Sequence, residues 1–190
     1  MLASMECLIH TTTPAASQHM NRDWYGTPVD PAVSFSFELT DSDLIFSASC
    51  PAPATINPAA RPGAFCPELW KYDTAEFFLA SPVSGHYLEF NLCPNGAWWA
   101  QAFSAPRVQD SVPPPAGVVT TAEFTPTGWS TQASIPLAEL ERLGLDPRHC
   151  QLAAAAIVHS PDYLFLTTAD DQTGEPDFHR PACWPIARLV

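Results

Sequence analysis

The sequence predicts an all-β protein, an antiparallel β-sandwich of about nine or ten strands with one short helix. Aromatic-rich and apolar runs recur along the chain, separated by clusters of Pro, Gly, Asn and Ser, a pattern typical of short strands joined by turns. The 21 prolines disfavour long helices and long central strands. A chain of 190 residues that is 46% hydrophobic can bury one core, so we expect a single domain over residues 1–190.

The first predicted strands lie before residue 51. Glu6–Thr12 is expected to form a short strand, and Thr13–Pro31 a connection. In Val33–Leu39 apolar residues alternate with polar ones, which indicates a half-buried strand. A turn at residues 41–43 brings back Leu44–Cys50 as its partner.

The segment Leu69–Arg107 is predicted to form the centre of the sheet. Its three apolar runs are Thr74–Leu79, Tyr87–Leu92 and Trp98–Phe103. Turn residues separate them, so the runs are expected to pair as consecutive hairpins. The Pro-rich loop before this segment is long enough to be functional.

The second half of the chain continues the same pattern with one interruption. Leucines at helical spacing between Pro136 and Gly144 predict a short helix, with Pro suited to its first turn and Gly to its end. The other predicted elements are, in order, a Pro-rich loop (Pro106–Gly117), strands Val118–Phe124 and Trp129–Ile135, strands Gln151–His159 and Tyr163–Thr168, a polar turn (Ala169–Pro176) and a terminal strand (Ile186–Val190).

Composition excludes several classes of partner. The formal net charge is −12, which repels phosphate backbones and anionic membranes, so we expect no nucleic-acid or membrane partner. No run approaches the roughly 18 apolar residues of a membrane span. The first residues make a poor secretory signal because they lack early Lys or Arg and are interrupted by Glu6 and His10, so a cytoplasmic location is expected.

The six cysteines are scattered and include no C-x-x-C pair, which gives no support for a zinc or dithiol centre. We expect buried, reduced thiols, with disulfides as the alternative in an exported protein. The three methionines all lie near the N-terminus, which disfavours a haem held by Met and His. We therefore predict no cofactor, and we leave open a calcium ion held by Asp and backbone oxygens.

Two sequence blocks stand out. The first contains Leu69-Trp70, Glu76-Phe77-Phe78-Leu79, Tyr87-Leu88-Glu89-Phe90-Asn91, Pro94-Asn95-Gly96-Ala97-Trp98, Phe103 and Arg107; the second is Pro176-Asp177-Phe178-His179-Arg180-Pro181. Both blocks resemble the DOMON-like domains of bacteria, which are similar to the carbohydrate-binding modules of family 9. The resemblance implies a β-sandwich that binds a ligand rather than an enzyme; family 9 modules hold a sugar between two tryptophans and polar side chains. The chain departs from the pattern at Trp184, where relatives tend to carry another aromatic residue.

The central hairpins carry a candidate ligand face. If Phe78 pairs with Tyr87, Glu76 lies directly opposite Glu89 on one face of the sheet. Opposed carboxylates repel each other, so a cation, the side chain of Arg107 or a hydroxyl-rich ligand would compensate.

Tryptophans near these carboxylates could supply a stacking surface for a sugar ring. Trp98 and Trp99 are adjacent in one strand, so only one of them can lie in the core. The candidate ligand-binding residues are Trp70, Glu76, Glu89, Asn91, Trp98, Trp99, Arg107, Asp177 and His179.

The sequence is therefore expected to encode a non-catalytic module that binds a carbohydrate or a similar polyhydroxylated small molecule. One alternative is an interaction or scaffold domain in which the aromatic residues are core. The other is a glycoside hydrolase that uses Glu76 and Glu89, because that chemistry needs two carboxyl groups roughly 5–9.5 Å apart.

Overall fold

Two β-sheets pack face to face in the computed structural model, which describes residues 6–159, 162–170 and 173–190. The strands are β1 (Leu8–His10), β2 (Gln18–Arg22), β3 (Pro28–Leu39), β4 (Asp43–Cys50), β5 (Thr74–Ala80), β6 (Tyr87–Leu92), β7 (Trp98–Ala105), β8 (Val108–Gln109), β9 (Val119–Thr125), β10 (Gly128–Pro136), β11 (Gln151–Val158), β12 (Leu164–Thr167) and β13 (Arg188–Leu189). The helix α1 spans Leu137–Arg142, and single 3₁₀ turns occur at Leu69–Lys71 and Pro181–Cys183. None of the described helices is long and apolar enough to cross a membrane.

The seven-stranded sheet has the order β13-β1-β3-β4-β10-β9, with β2 pairing to β3 beside this path. The six-stranded sheet has the order β12-β11-β5-β6-β7-β8. The predicted all-β sandwich with one short helix is confirmed. It is not wholly antiparallel, because β1 pairs in parallel with both β3 and β13.

Two short strands, β2 and β8, lie in segments that the sequence predicts as loops. β2 lies within the predicted connection Thr13–Pro31 and is polar apart from the buried Met20, so its sequence carries no alternating apolar pattern. β8 lies within the Pro-rich loop Pro106–Gly117 and adds only Val108 and Gln109 to the edge of the six-stranded sheet.

A run of aromatic side chains joins the two sheets through the core. Phe46 of the seven-stranded sheet contacts Phe77 of the six-stranded sheet with ring centroids 5.2 Å apart. Phe77 stacks on Phe90 at 5.2 Å, and Phe90 stacks on Trp98 at 5.7 Å. Phe77, Phe90 and Trp98 occupy the inward face of β5, β6 and β7, so the alternate residues of those strands face away from the core.

The outer face of the six-stranded sheet is also covered. All residues of β5 and β6 are buried. The segment Pro176–Trp184, called here the closing segment, crosses this face, and its Trp184 packs on Phe78 and Tyr87 with ring centroids 5.2 and 5.1 Å apart. The closing segment and the outer face of the sheet together border a cleft.

The strand register of the first central hairpin corrects the predicted one. Ala80 rather than Phe78 pairs with Tyr87, because β5 runs one residue further than expected and the Ser81 N–H donates to the His86 carbonyl at 2.9 Å. Glu76 therefore lies opposite Asn91, and Glu89 lies opposite Phe78. The two carboxyl groups are diagonal neighbours on one face and are not directly opposed.

The six cysteines are unpaired, and five of them are buried. Cys183, in the second 3₁₀ turn, is half-buried. This agrees with the predicted free thiols.

Candidate ligand-binding cleft

A cleft of about 480 Å³ lies between the outer face of the six-stranded sheet and the closing segment. Its floor is built by β5, β6 and β7, and its walls by the 3₁₀ turn before β5, the turn after β7, the start of β12 and the closing segment. The lining residues are Trp70, Glu76, Phe78, Glu89, Trp99, Phe103, Arg107, Gln109, Ile157, Tyr163, Phe165, Pro176, Asp177, Phe178 and His179.

Strand pairing places the floor residues in rows across the sheet. One row runs from Ala155 on β11 through Glu76 and Asn91 to Trp99 on β7. Ala155 carries only a methyl group, so its side chain offers Glu76 no hydrogen-bond donor. The next row on the same face pairs Phe78 of β5 with Glu89 of β6.

Glu76 is the most isolated polar group of the floor. Its side chain is 2% exposed, and its Oε1 atom has no hydrogen-bond partner. Burial, and then the nearby Glu89 carboxyl, raise the pKa of Glu76 well above its usual range. Asn91, directly opposite across the strands, also has an unpartnered Oδ1 atom. Among the described residues, only one other buried side-chain polar atom lacks a partner, Nε2 of His10.

Glu89 is better satisfied than Glu76. The Asn91 amide donates to Glu89 Oε1 at 3.1 Å, and His179 Nε2 lies 3.4 Å from Glu89 Oε2. Burial raises the pKa of Glu89 to about 7, although the Asn91 hydrogen bond and the charge of Arg107 lower it in part.

A hydrogen-bonded chain connects the Arg107 backbone, the Tyr87 hydroxyl and the His179 ring. The Arg107 backbone N–H donates to the Tyr87 hydroxyl oxygen at 3.1 Å, so that hydroxyl is free to donate to His179 Nδ1 at 2.8 Å. The hydrogen of the imidazole then lies on Nε2, facing Glu89. Burial lowers the pKa of His179 to about 4, with the Arg107 charge as a second cause.

Arg107 reaches the cleft from the turn between β7 and β8. Its backbone is in the left-handed region (φ 60°), which non-glycine residues adopt only when their surroundings hold them. Its guanidinium group donates to Asp177 Oδ1 at 2.7 Å. The same oxygen accepts a hydrogen bond from the backbone N–H of His179 at 2.9 Å. Arg107 thereby ties the β7–β8 turn to the closing segment.

Three aromatic side chains in the cleft wall remain accessible. Trp70 is 51% exposed on the 3₁₀ turn, and Trp99 is half-buried on β7. Tyr163 is exposed before β12, where its ring stacks on His159 at 4.5 Å. Lys71 lies 5.4 Å from the Trp70 ring and is paired with Glu68.

The sequence-predicted residues meet at this cleft with two exceptions. Those that line it are Trp70, Glu76, Glu89, Trp99, Arg107, Asp177 and His179. Asn91 lies in the floor, where it is fully buried and contacts Glu89. The prediction that Trp98 binds a ligand is wrong. Trp98 is 8% exposed and stacks on Phe90 in the core, because its side chain lies on the inward face of β7.

Sequence reasoning missed the aromatic wall of the cleft. Phe78 shares the face of Glu76 by simple strand alternation, so the pattern of β5 could have found it. Tyr163 and Phe165 come from a distant part of the chain, and no local signal placed them here.

Metal-binding groups do not cluster in the described part of the chain. Residues 6–159, 162–170 and 173–190 contain no set of three or more His, Cys, Asp or Glu side chains placed to hold an ion. The carboxyl pair and the Asn91 amide are oxygen acceptors for hydrogen-bond donors.

A second depression of about 420 Å³ lies on the outer face of the seven-stranded sheet. It is lined mainly by small hydroxyl side chains, including Ser34, Ser47 and Ser130. None of its lining atoms is among the unpartnered buried groups, and no Trp or Tyr side chain lines it. The cleft over the six-stranded sheet is the stronger candidate site for these reasons.

Comparison with solved structures identifies similar folds over nearly the whole chain. A protein from Bacteroides uniformis proposed to bind carbohydrate aligns with 97% of this chain and 98% of its own, at 15% identity and a TM-score of 0.75. A family 9 carbohydrate-binding module from Caldicellulosiruptor kristjanssonii in complex with glucose aligns with 97% of this chain and 95% of its own, at 14% identity and a TM-score of 0.63. The structure in complex with cellotriose aligns with 97% of this chain and 93% of its own, at 13% identity and a TM-score of 0.62.

Neither a protein-family model nor a curated protein sequence matches the chain. The likeness is therefore one of structure, and it extends over nearly the whole chain. The chain has the fold of the family 9 carbohydrate-binding modules.

Proposed function

We propose that the protein binds a carbohydrate, or a similar polyhydroxylated small molecule, in the cleft over the six-stranded sheet. The observation that carries the proposal is the unpartnered Oε1 of the buried Glu76, which lies in the cleft floor together with the accessible rings of Trp70 and Trp99. A buried acceptor without a donor costs about 1–3 kcal/mol, which a ligand hydroxyl that donates to it would recover.

The combination of groups suits a sugar ring. An indole face packs against the apolar C–H face of a pyranose, while carboxyl and amide oxygens accept hydrogen bonds from its hydroxyls. Arg107 also lines the cleft and can donate to ring or hydroxyl oxygens. The similar solved structures with bound glucose and cellotriose support this choice of ligand class.

A binding titration tests the proposal. Neutral mono- and oligosaccharides, including glucose and cellotriose, are titrated into the protein while tryptophan fluorescence and heat are recorded. Binding is expected, and Trp70→Ala or Trp99→Ala should weaken it by about 10-fold or more, since each removes an aromatic anchor. Tyr25→Ala, which truncates an exposed ring outside the cleft lining, is the matched control and should bind normally.

The scaffold alternative makes the opposite prediction. If the protein only contacts other proteins, no sugar of the panel changes its fluorescence or releases heat. The accessibility of Trp70 and Trp99 argues against the version of this alternative in which these aromatics are core.

Glycoside hydrolysis is a second candidate, favoured by the raised pKa values of two neighbouring carboxyls, Glu76 and Glu89. A general acid needs such a shift to hold its proton near neutral pH. Turnover of a chromogenic glycoside that disappears in Glu76→Gln would support this candidate. Sugar binding without turnover supports the non-catalytic module.

A further inference from the structure

The floor of the cleft holds two buried carboxyl groups without a matching positive group. Glu76 and Glu89 are 2% and 5% exposed, and both belong to the cleft lining. Of the described lining residues, only Arg107 carries a fixed positive charge, and its guanidinium is already paired with Asp177 at 2.7 Å.

The compensation that Arg107 offers reaches only one of the two carboxyls. Its charge lowers the pKa of Glu89 in part, as does the hydrogen bond from Asn91. Both causes that act on Glu76, burial and the charge of Glu89, raise its pKa. His179 is the other basic group of the lining, and burial, which lowers its pKa to about 4, holds it neutral. Glu76 is the uncompensated member of the pair.

The unsatisfied atoms of the floor are both acceptors. Oε1 of Glu76 and Oδ1 of Asn91 belong to residues paired across neighbouring strands, and neither atom receives a hydrogen bond. A hydroxyl supplies one donor, whereas a protonated amine supplies three donors and a positive charge. The rings of Trp70, Trp99 and Tyr163 around this floor also favour a cation, because aromatic faces attract positive charge.

We propose that the cleft prefers a sugar that bears a protonated amine over the corresponding neutral sugar, with the ammonium group bound by the Glu76 carboxyl. This inference rests on the proposed carbohydrate-binding function and names the class of sugar. A metal ion fits the floor less well. Calcium takes about six to eight oxygen ligands. The described residues offer no cluster of three or more ionisable ligands, and aromatic rings dominate the walls.

Ammonium binding is expected to be coupled to proton release. The bound cation stabilises the ionised form of Glu76, so a proton held by the carboxyl pair leaves as the amine enters. The other titratable or charged groups around Glu76 are Glu89 on β6, Arg107 after β7, Tyr163 before β12, and Asp177 and His179 on the closing segment; its neighbour on β11 is Ala155. A neutral sugar should release no proton.

Calorimetry with three related probes tests the proposal. Glucosamine, glucose and N-acetylglucosamine are titrated at about pH 6.5, where a sugar amine is largely protonated. Glucosamine is expected to bind about 10- to 100-fold more tightly than the two neutral sugars, the range expected for a charge-assisted hydrogen bond. Repeating the titration in buffers of different ionisation enthalpy should show proton release for glucosamine alone.

Variants separate the carboxyl from the rest of the cleft. Glu76→Gln keeps the size of the side chain and removes its charge, so it should reduce the preference for glucosamine to within a few-fold while glucose still binds. Glu141→Gln, an exposed carboxylate on α1, is the matched control and should keep the preference. Thermal unfolding of each variant confirms that it is folded.

The outcomes distinguish the two levels of inference. Equal affinity for the three sugars would overturn the amine preference and leave the proposed function standing. Binding of none of them would overturn the proposed function, and the preference with it. Calcium binding that is lost in Glu76→Gln would show that the floor is a metal site and would also overturn the preference.

Discussion

Replacing Glu89 with glutamine should change how the stability of the protein depends on pH. Burial raises the pKa of Glu89 to about 7, from its usual value of 4.5 in an unfolded chain. This difference corresponds to about 3 kcal/mol, because one pKa unit corresponds to about 1.4 kcal/mol. The side chain is 5% exposed, so solvent screening reduces the effect little.

The sign follows from the direction of the pKa change. Glu89 binds its proton more tightly in the folded protein than in the unfolded chain, so raising the pH from 4.5 through 7 favours unfolding. His179 acts in the opposite direction, because its lowered pKa makes the unfolded chain the stronger proton binder between about pH 4 and 6.5. Glu76, whose pKa is also raised, acts in the same direction as Glu89, and part of its rise comes from the Glu89 charge. The wild-type profile contains all three effects, and the difference between wild type and Glu89→Gln reports Glu89 together with its coupling to Glu76.

Urea unfolding followed by tryptophan fluorescence, at about pH 5 and about pH 8, measures this difference. The stability of Glu89→Gln relative to wild type is expected to increase by about 2–3 kcal/mol from the lower to the higher pH. The amide oxygen introduced by this substitution can still accept the hydrogen bond from Asn91, which limits other changes. Glu141→Gln should show no such increase. A difference that does not change with pH would refute the inference that Glu89 is buried in an environment that disfavours its charge.

Three further predictions concern the cleft and its supports. Trp98→Ala should lower the free energy of unfolding by about 3–5 kcal/mol because it empties a core position, whereas Trp70→Ala should change it by less than about 0.5 kcal/mol; equal losses in urea unfolding would contradict the assigned positions. Tyr87→Phe should cost about 1–3 kcal/mol, because it removes the hydroxyl between the Arg107 N–H and His179. An unchanged urea midpoint would show that the hydrogen bonds of the Tyr87 hydroxyl do not stabilise the fold. Cys183 should react with a chromogenic disulfide reagent before the five buried thiols, which should react only on unfolding; rapid reaction of several thiols in the native protein would contradict their burial.

The sequence is most informative where alternation and turn chemistry act locally. The three central strands are found where their aromatic runs and turns predict them, and the inward residues of β3 are buried as its alternation indicates. The helix after β10 follows from the spacing of its leucines and the Gly144 stop. Each of these features depends on nearby residues in the chain.

Two errors come from quantities that alternation does not fix. The register of the β5–β6 hairpin depends on how far β5 extends, and one additional residue, Ala80, places Glu76 opposite Asn91 instead of Glu89. The phase of β7 decides which of two adjacent tryptophans is buried, and the sequence of that strand is largely apolar on both sides. Trp98 is assigned to the core by its burial and by its stacking on Phe90.

The cleft wall depends on long-range packing that no local pattern encodes. The closing segment covers the outer face of the six-stranded sheet through contacts of Trp184 with Phe78 and Tyr87, about 100 residues earlier in the chain. The resemblance of the Asp177-Phe178-His179 run to a family motif identifies Asp177 and His179 as candidate site residues. Its partners, Arg107 and Tyr87, become visible only in the fold.

A structure of the protein crystallised with its best-binding sugar tests the central claim most directly. We predict that the sugar ring lies against Trp70 and Trp99, with at least one of its polar hydrogens directed to Oε1 of Glu76. A sugar bound instead on the serine-lined face of the seven-stranded sheet, or one that leaves Glu76 without a partner, would contradict the assignment of this cleft as the binding site.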